Sequence, residues 1–144
     1  MTASYDKLKS KLATRTYIHD PADATVATKI AWVPMAANFL AKATLVSGTG
    51  ILTFKIYAGV AATGGATLVK AHADPTVADA QGDMVTLEVS AEEVLAALAH
   101  AQYVSVELDC DAAGDIVAVD YIMDGALAGG GRFKYDGITA DVIA

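Results

Sequence analysis

From about residue 26 the chain is strand-like, and in several segments up to residue 124 the apolar positions recur with a period of two, the period of a half-buried strand. In "MVTLEV" Val85, Leu87 and Val89 lie on one side and Thr86 and Glu88 on the other. In "ILTFKIYAG" Leu52, Phe54, Ile56 and Ala58 share a face, opposite Thr53, Lys55 and Tyr57. The strand-like run "ANFLAKATLVS" leads through "GTG" into that segment, so the pair reads as a β-hairpin turning at Gly48 and Gly50. "ATLVKAHA" is a further short strand and "DPTVADAQGD" a loop.

The stretch "YVSVELDCDAAGDIVAVDYIM" predicts a second hairpin, with Asp111 opening the turn and Gly114 in the left-handed position. Val104, Val106, Leu108 and Cys110 then share a face with Ile116, Ala118, Asp120 and Ile122. The opposite face carries Val117, Val119, Tyr121 and Met123. A hairpin apolar on both sides places one face in a sandwich interior and makes the other a contact surface, so these four residues are candidates for a subunit interface.

One segment has helical grammar. Ser90-Ala-Glu-Glu93 is a capping box, followed by Val94, Leu95 and Leu98, which predicts a short helix near residues 91–100. The expected organisation is an N-terminal arm (1–25), an antiparallel β-sandwich (26–124) and a C-terminal hinge (125–144) leading to an arm or an edge strand. In the first arm Tyr5, Leu8 and Leu12 fall at helical spacing, and Pro21 breaks the pattern. In the last, Gly129–Gly131 precede Arg132, Phe133, Lys134 and Tyr135, an arrangement suited to lying on another subunit.

Charge sharpens this picture. The net charge is −7, yet Lys7, Lys9, Lys11 and Arg15 crowd the first fifteen residues, while residues 71–131 carry twelve acids and no Lys or Arg. That acidic region opposes nucleic-acid binding, which rests on neutralising phosphates. The hydrophobic fraction of 54% is enough for a packed core, though much of it is alanine. No apolar run reaches the roughly 20 residues of a membrane span. No secretory signal is expected at the N-terminus, and the single cysteine, Cys110, suits a reducing cytoplasm.

The chemistry of enzymes is not concentrated anywhere. There is no G-x-S-x-G, no H-E-x-x-H and no Gly-Lys phosphate loop, and His19, His72 and His100 are scattered, so neither an enzyme nor a cofactor is expected. Asp109, Asp111, Asp115 and Asp120 resemble part of a calcium loop. Ala113 stands at its fifth position, no bidentate Glu is present, and the flanks are strands, so the reading is a hairpin with an acidic tip. A carbohydrate- or ligand-binding sandwich is the rival class, with Trp32, Tyr57, Tyr103 and Tyr121 as candidate platforms; a tail or head-fibre component of a virion is another.

With "LVSGTGILTFKIYAG", the inserted "SAEEVLAAL" and "YVSVELDCDAAGD", the chain resembles bacteriophage auxiliary capsid proteins, the decoration or cement proteins that accompany a major capsid protein. The resemblance implies a jelly-roll-like β-sandwich in a homo-oligomer, with a trimer favoured. It also implies attachment to the major capsid protein of a virion assembled in the host cytoplasm. The candidate shell-binding residues are Lys7, Leu8, Lys9, Lys11, Leu12 and Arg15 at one end and Arg132, Phe133, Lys134 and Tyr135 at the other.

Overall fold

The computed structural model describes residues 12–19, 28–61, 66–112 and 114–126. In chain order the strands are β1 (Leu12–His19), β2 (Thr28–Lys29), β3 (Val33–Pro34), β4 (Ala36–Ser47), β5 (Ile51–Gly59) and β6 (Thr67–Ala71), followed by β7 (Met84–Ser90), β8 (Tyr103–Cys110) and β9 (Ile116–Ala126). A 3-10 turn, Pro75–Val77, lies between β6 and β7, and one α-helix, α1 (Ala91–Ala97), lies between β7 and β8.

All pairings are antiparallel. Sheet I has the order β1-β9-β4-β7, and sheet II the order β2-β8-β5-β6 with β3 also on β8. The pairs are nested: β1 with β9, β2 and β3 with β8, β4 with β7, β5 with β6. Folding a long ribbon of such nested pairs over itself gives a jelly roll, an antiparallel sandwich as the alternation predicts and of the form the resemblance implies. Pro34, which has no N–H to give a ladder, sits on a short edge strand, where it is tolerated.

The connections correct both expected hairpins. β4 and β5 lie in different sheets, and so do β8 and β9, so Gly48–Gly50 and Asp111–Gly114 are corners between sheets. The hairpin among the described residues is β5–β6. In a hairpin two strands share a sheet; at a corner their inward faces meet across the core instead. Val117, Val119, Tyr121 and Met123 are therefore not a subunit contact surface. All four are 0% exposed in the core, and Ile116, Ala118, Asp120 and Ile122 point outward. Leu52 also leaves its expected face: a register irregularity between Ile51 and Thr53 buries Ile51 and exposes Leu52.

The N-terminal boundary shifts as well. Leu12–His19, expected within an arm, is an edge strand with all eight residues in register on β9. β7 keeps the predicted alternation, with Val85, Leu87 and Val89 inward. At its end Ser90 Oγ accepts from the Glu93 N–H at 3.2 Å, the forward half of the predicted capping box. The reciprocal half is replaced: the Glu93 carboxylate lies 3.4 Å from Lys70 Nζ. The helix closes early, with Leu98 as its C-cap, and only Val94 of its apolar stripe is buried.

Tyr121 ties the layers together. Its ring meets Phe39 and Tyr17 edge-on, both at 5.0 Å between centroids. Its hydroxyl crosses to sheet II, donating to Ala31 O (3.0 Å) and accepting from Val106 N–H (3.1 Å). The chain between β2 and β3 offers Val106 N–H no ladder partner, and the phenol of the opposite sheet takes that place. Burial pushes this phenol well above the ordinary tyrosine range, so it remains a protonated donor.

Candidate functional site

The register of sheet I sets the composition of its outer face. Four rows cross the strands β1, β9, β4 and β7 in that order: Leu12, Asp124, Asn38, Ser90; then Thr14, Ile122, Leu40, Glu88; then Thr16, Asp120, Lys42, Thr86; then Ile18, Ala118, Thr44, Met84. The first and third rows are tied by polar contacts. Asn38 Nδ2 donates to Asp124 (3.0 Å), Thr16 Oγ1 donates to Asp120, and Lys42 Nζ lies 3.8 Å from Asp120. Such cross-strand pairs stabilise a sheet by a few tenths of a kcal/mol each, roughly 0.2–1.

The second row is apolar at its centre, Ile122 and Leu40, between Thr14 and Glu88, and the fourth is apolar except for Thr44. At one end Ile18 (64% exposed) and Met84 (54%) bracket Ala118 and the half-buried Thr44, with Val46 next along β4. At the other end Leu12, Leu40 and Ile122, with Asn38, Glu88 and Asp124, line an open cavity of about 240 Å³. The outer face of sheet I thus combines exposed apolar side chains with an acid-rimmed cavity, and we take it as the candidate contact site. Its β7 margin is guarded: Lys70 Nζ donates to Glu88 O at 3.0 Å, occupying an edge carbonyl that an incoming strand would need.

The outer face of sheet II is internally paired. Lys29 Nζ sits 2.8 Å from Glu107 and 4.3 Å above the Tyr57 ring centroid, and the Tyr57 hydroxyl donates to Glu107 at 3.4 Å. Trp32 lies across Gly59, where an added Cβ would come within 3.1 Å of the indole. Of the aromatic candidates for a sugar platform, Tyr121 is in the core, Tyr57 carries Lys29, and Trp32 and Tyr103 are half-buried.

The aspartates of the acidic corner hold the chain rather than converge. Asp115, buried, accepts from Thr49 N–H (2.9 Å) and Ala112 N–H (3.1 Å), while Asp111 accepts from Thr49 Oγ1 at 3.1 Å. These bonds join the β4–β5 corner to the β8–β9 corner. Asp109 lies on β8 opposite Thr53. Among the described residues no three of His, Cys, Asp and Glu are grouped so as to hold a metal ion. Cys110 is 0% exposed, and its thiol is pushed up to about 11, first by burial and then by the nearby Asp115 and Asp109 carboxylates. Among the described residues no helix is long and apolar enough to cross a membrane.

The expected shell-binding residues divide. Lys7, Leu8, Lys9, Lys11, Arg132, Phe133, Lys134 and Tyr135 lie outside the described residues. Leu12 is brought to the cavity. Arg15 is not the surface cation expected of an arm: it stands on the inward parity of β1 with Ala13 and His19, opposite Tyr121 in register. Its Nε and Nη2 are buried without a hydrogen-bond partner among the described residues. Sequence reasoning missed Ile18, Val46 and Met84, which come from three strands and share no local pattern.

No family model and no curated protein matches the chain. Among solved structures, it is similar to a chain from Bacillus endospore appendages, described as forming a novel family of disulfide-linked pili. The identity is 16%, the likeness covers 81% of this chain and 90% of that one, and the TM-score is 0.38.

Proposed function

We propose that the protein is a structural component of an assembly and, more narrowly, a decoration protein that attaches to an assembled virion shell through the outer face of sheet I. The observation that carries this reading is the pair of exposed apolar side chains, Ile18 and Met84, at the two ends of the row they form with Ala118 and Thr44, bounded on one side by the Thr16–Asp120–Lys42 row. A sheet face with apolar positions beside charged ones suits contact with another folded surface better than enclosure of a small molecule. The jelly roll supplies a rigid body for such contact, its core closed within the chain. Binding the assembled lattice and not its free subunits would stabilise the shell by mass action.

The test is attachment. Particles purified from cells expressing the chain are expected to carry it in hundreds of copies over the head, and Ile18→Asp with Met84→Asp to abolish that loading. Both side chains are exposed, so the double variant keeps its fold. A few copies confined to a tail, or full loading of the double variant, would overturn the reading. The basic arm is tested separately by removing residues 1–11; the deletion stops there because β1 begins at Leu12.

A further inference from the structure

We infer that β1 is a self-pairing edge: two copies of the chain join antiparallel through it, continuing sheet I across a two-fold axis at Thr16. This does not depend on attachment to a shell. An edge strand presents backbone donors and acceptors to any further strand, and native edges are blunted by Pro, bulges, charge or short length. Of the four sheet edges among the described residues, three are blunted. On β7 Lys70 Nζ occupies Glu88 O; β2 and β3 are two residues each, with Pro34 in the second; β6 is short, carries Lys70 and has an irregular register. β1 differs. Its eight residues run in unbroken register on β9, and among the described residues no other strand pairs with it. Its outward side chains Thr14, Thr16 and Ile18 are exposed, uncharged and β-branched, which favours pairing.

The strand sets its own register. For both copies to keep their inward faces on one side, side chains of like parity must stand opposite each other, so the axis passes through a residue. Arg15 and Thr16 give the longest overlaps, Leu12–Ile18 and Ala13–His19. An axis on Arg15 sets two guanidinium groups against each other, and like charges directly opposite are destabilising. An axis on Thr16 sets Arg15 opposite Tyr17 and Thr14 opposite Ile18, with no like charges facing. Arg15, whose Nε and Nη2 have no hydrogen-bond partner among the described residues, then stands beside an aromatic side chain of the second copy. The outer rows run on across the join. Ile18, Ala118, Thr44 and Met84 of one copy continue into Thr14, Ile122, Leu40 and Glu88 of the other. A two-fold pair also uses up both open edges and closes the assembly, which a foreign strand on one copy would not.

Single-cysteine variants of the full chain locate the join. Thr14→Cys, Thr16→Cys and Ile18→Cys sample β1, and Thr86→Cys, exposed on the outward face of β7, is the control. Residues opposite each other in an antiparallel pair have Cα atoms about 4.5–5.5 Å apart, within disulfide reach, whereas two copies of residue 14 or of residue 18 would stand about 13 Å apart. Cys110 stays silent at pH 8, being buried with its thiol pushed up to about 11. Mild oxidation is expected to give covalent dimers at least about tenfold faster for Thr16→Cys than for the other three, since only its thiols meet. Sedimentation of the wild type should show the mass rising towards a dimer with concentration. Thr16→Lys sets two ammonium groups face to face across the axis, while in its own chain it lies beside Asp120. It should keep the wild-type circular dichroism and dimerise only at concentrations at least about tenfold higher. Fastest dimers at Ile18→Cys would assign the contact to the outer face of the sheet and overturn the inference. So would equal rates for all four cysteines, or a wild type that is monomeric at every concentration.

Discussion

Tyr121→Phe removes one oxygen atom and leaves the ring, so it isolates the bond that joins the two sheets. The hydroxyl serves two backbone groups, Val106 N–H and Ala31 O. Val106 is 0% exposed, so its N–H has no access to water once the phenol is gone. A buried donor left without a partner costs about 1–3 kcal/mol. Ala31 is only half-buried, and its carbonyl can recover part of its solvation, adding about 0.5–1 kcal/mol. The expected loss is about 2–4 kcal/mol, while the edge-on contacts with Phe39 and Tyr17 persist. Urea unfolding followed by fluorescence of Trp32, the single tryptophan, reads this directly. With a slope of about 2 kcal/mol per molar urea the midpoint should fall by about 1–2 M. The comparison also has a pH signature. A phenol whose folded value is raised contributes stability that is complete below its ordinary value near 10 and is lost as pH climbs towards the folded value. The gap between wild type and Tyr121→Phe should therefore be constant from pH 6 to 9 and narrow above pH 10. A loss below about 0.5 kcal/mol at pH 7 would refute the argument that Val106 depends on the phenol.

Gly48 and Gly82 separate steric conflict from backbone strain. Both have positive φ, but a Cβ on Gly48 would fall 2.0 Å from Asp115 Oδ1, whereas one on Gly82 meets nothing within 4 Å. Gly48→Ala should cost about 3 kcal/mol or more and Gly82→Ala about 1, measured by urea midpoint; equal losses would mean that Asp115 does not pin the corner. Ser90→Ala should cost about 1 kcal/mol by removing the helix cap, while Glu93→Gln, whose partner Lys70 is solvent-exposed, should stay within about 0.5. Cys110 should react with a thiol reagent at pH 8 at least tenfold more slowly in the native protein than in urea, and speed up only as pH nears 11; rapid native labelling would contradict its placement.

What the sequence revealed was what short windows encode. The strands, the inward set Val85–Leu87–Val89, the Ser90 cap and the left-handed Gly114 are all local facts, and each stands in the fold. The reversals at Gly48–Gly50 and Asp111–Gly114 were also visible, but a hairpin and a corner between sheets use the same turn residues. A hairpin puts β9 in the same sheet as β8 and inverts its faces. One residue argued against that choice. The supposed interior set of Ile116, Ala118, Asp120 and Ile122 contains a carboxylate, whereas Val117, Val119, Tyr121 and Met123 carry no charge. Burying an unpaired acid costs several kcal/mol, enough to decide between the two faces. β1 was hidden for the converse reason: Arg15 interrupts its inward set, so "LATRTYIH" looks polar on both sides. The candidate contact site was less legible still. The row joining Ile18 to Met84 exists only when β1, β9, β4 and β7 stand in register, and those strands are neighbours in the sheet but not in the chain. No window of sequence contains it; only the nested pairing that builds the jelly roll brings its residues together.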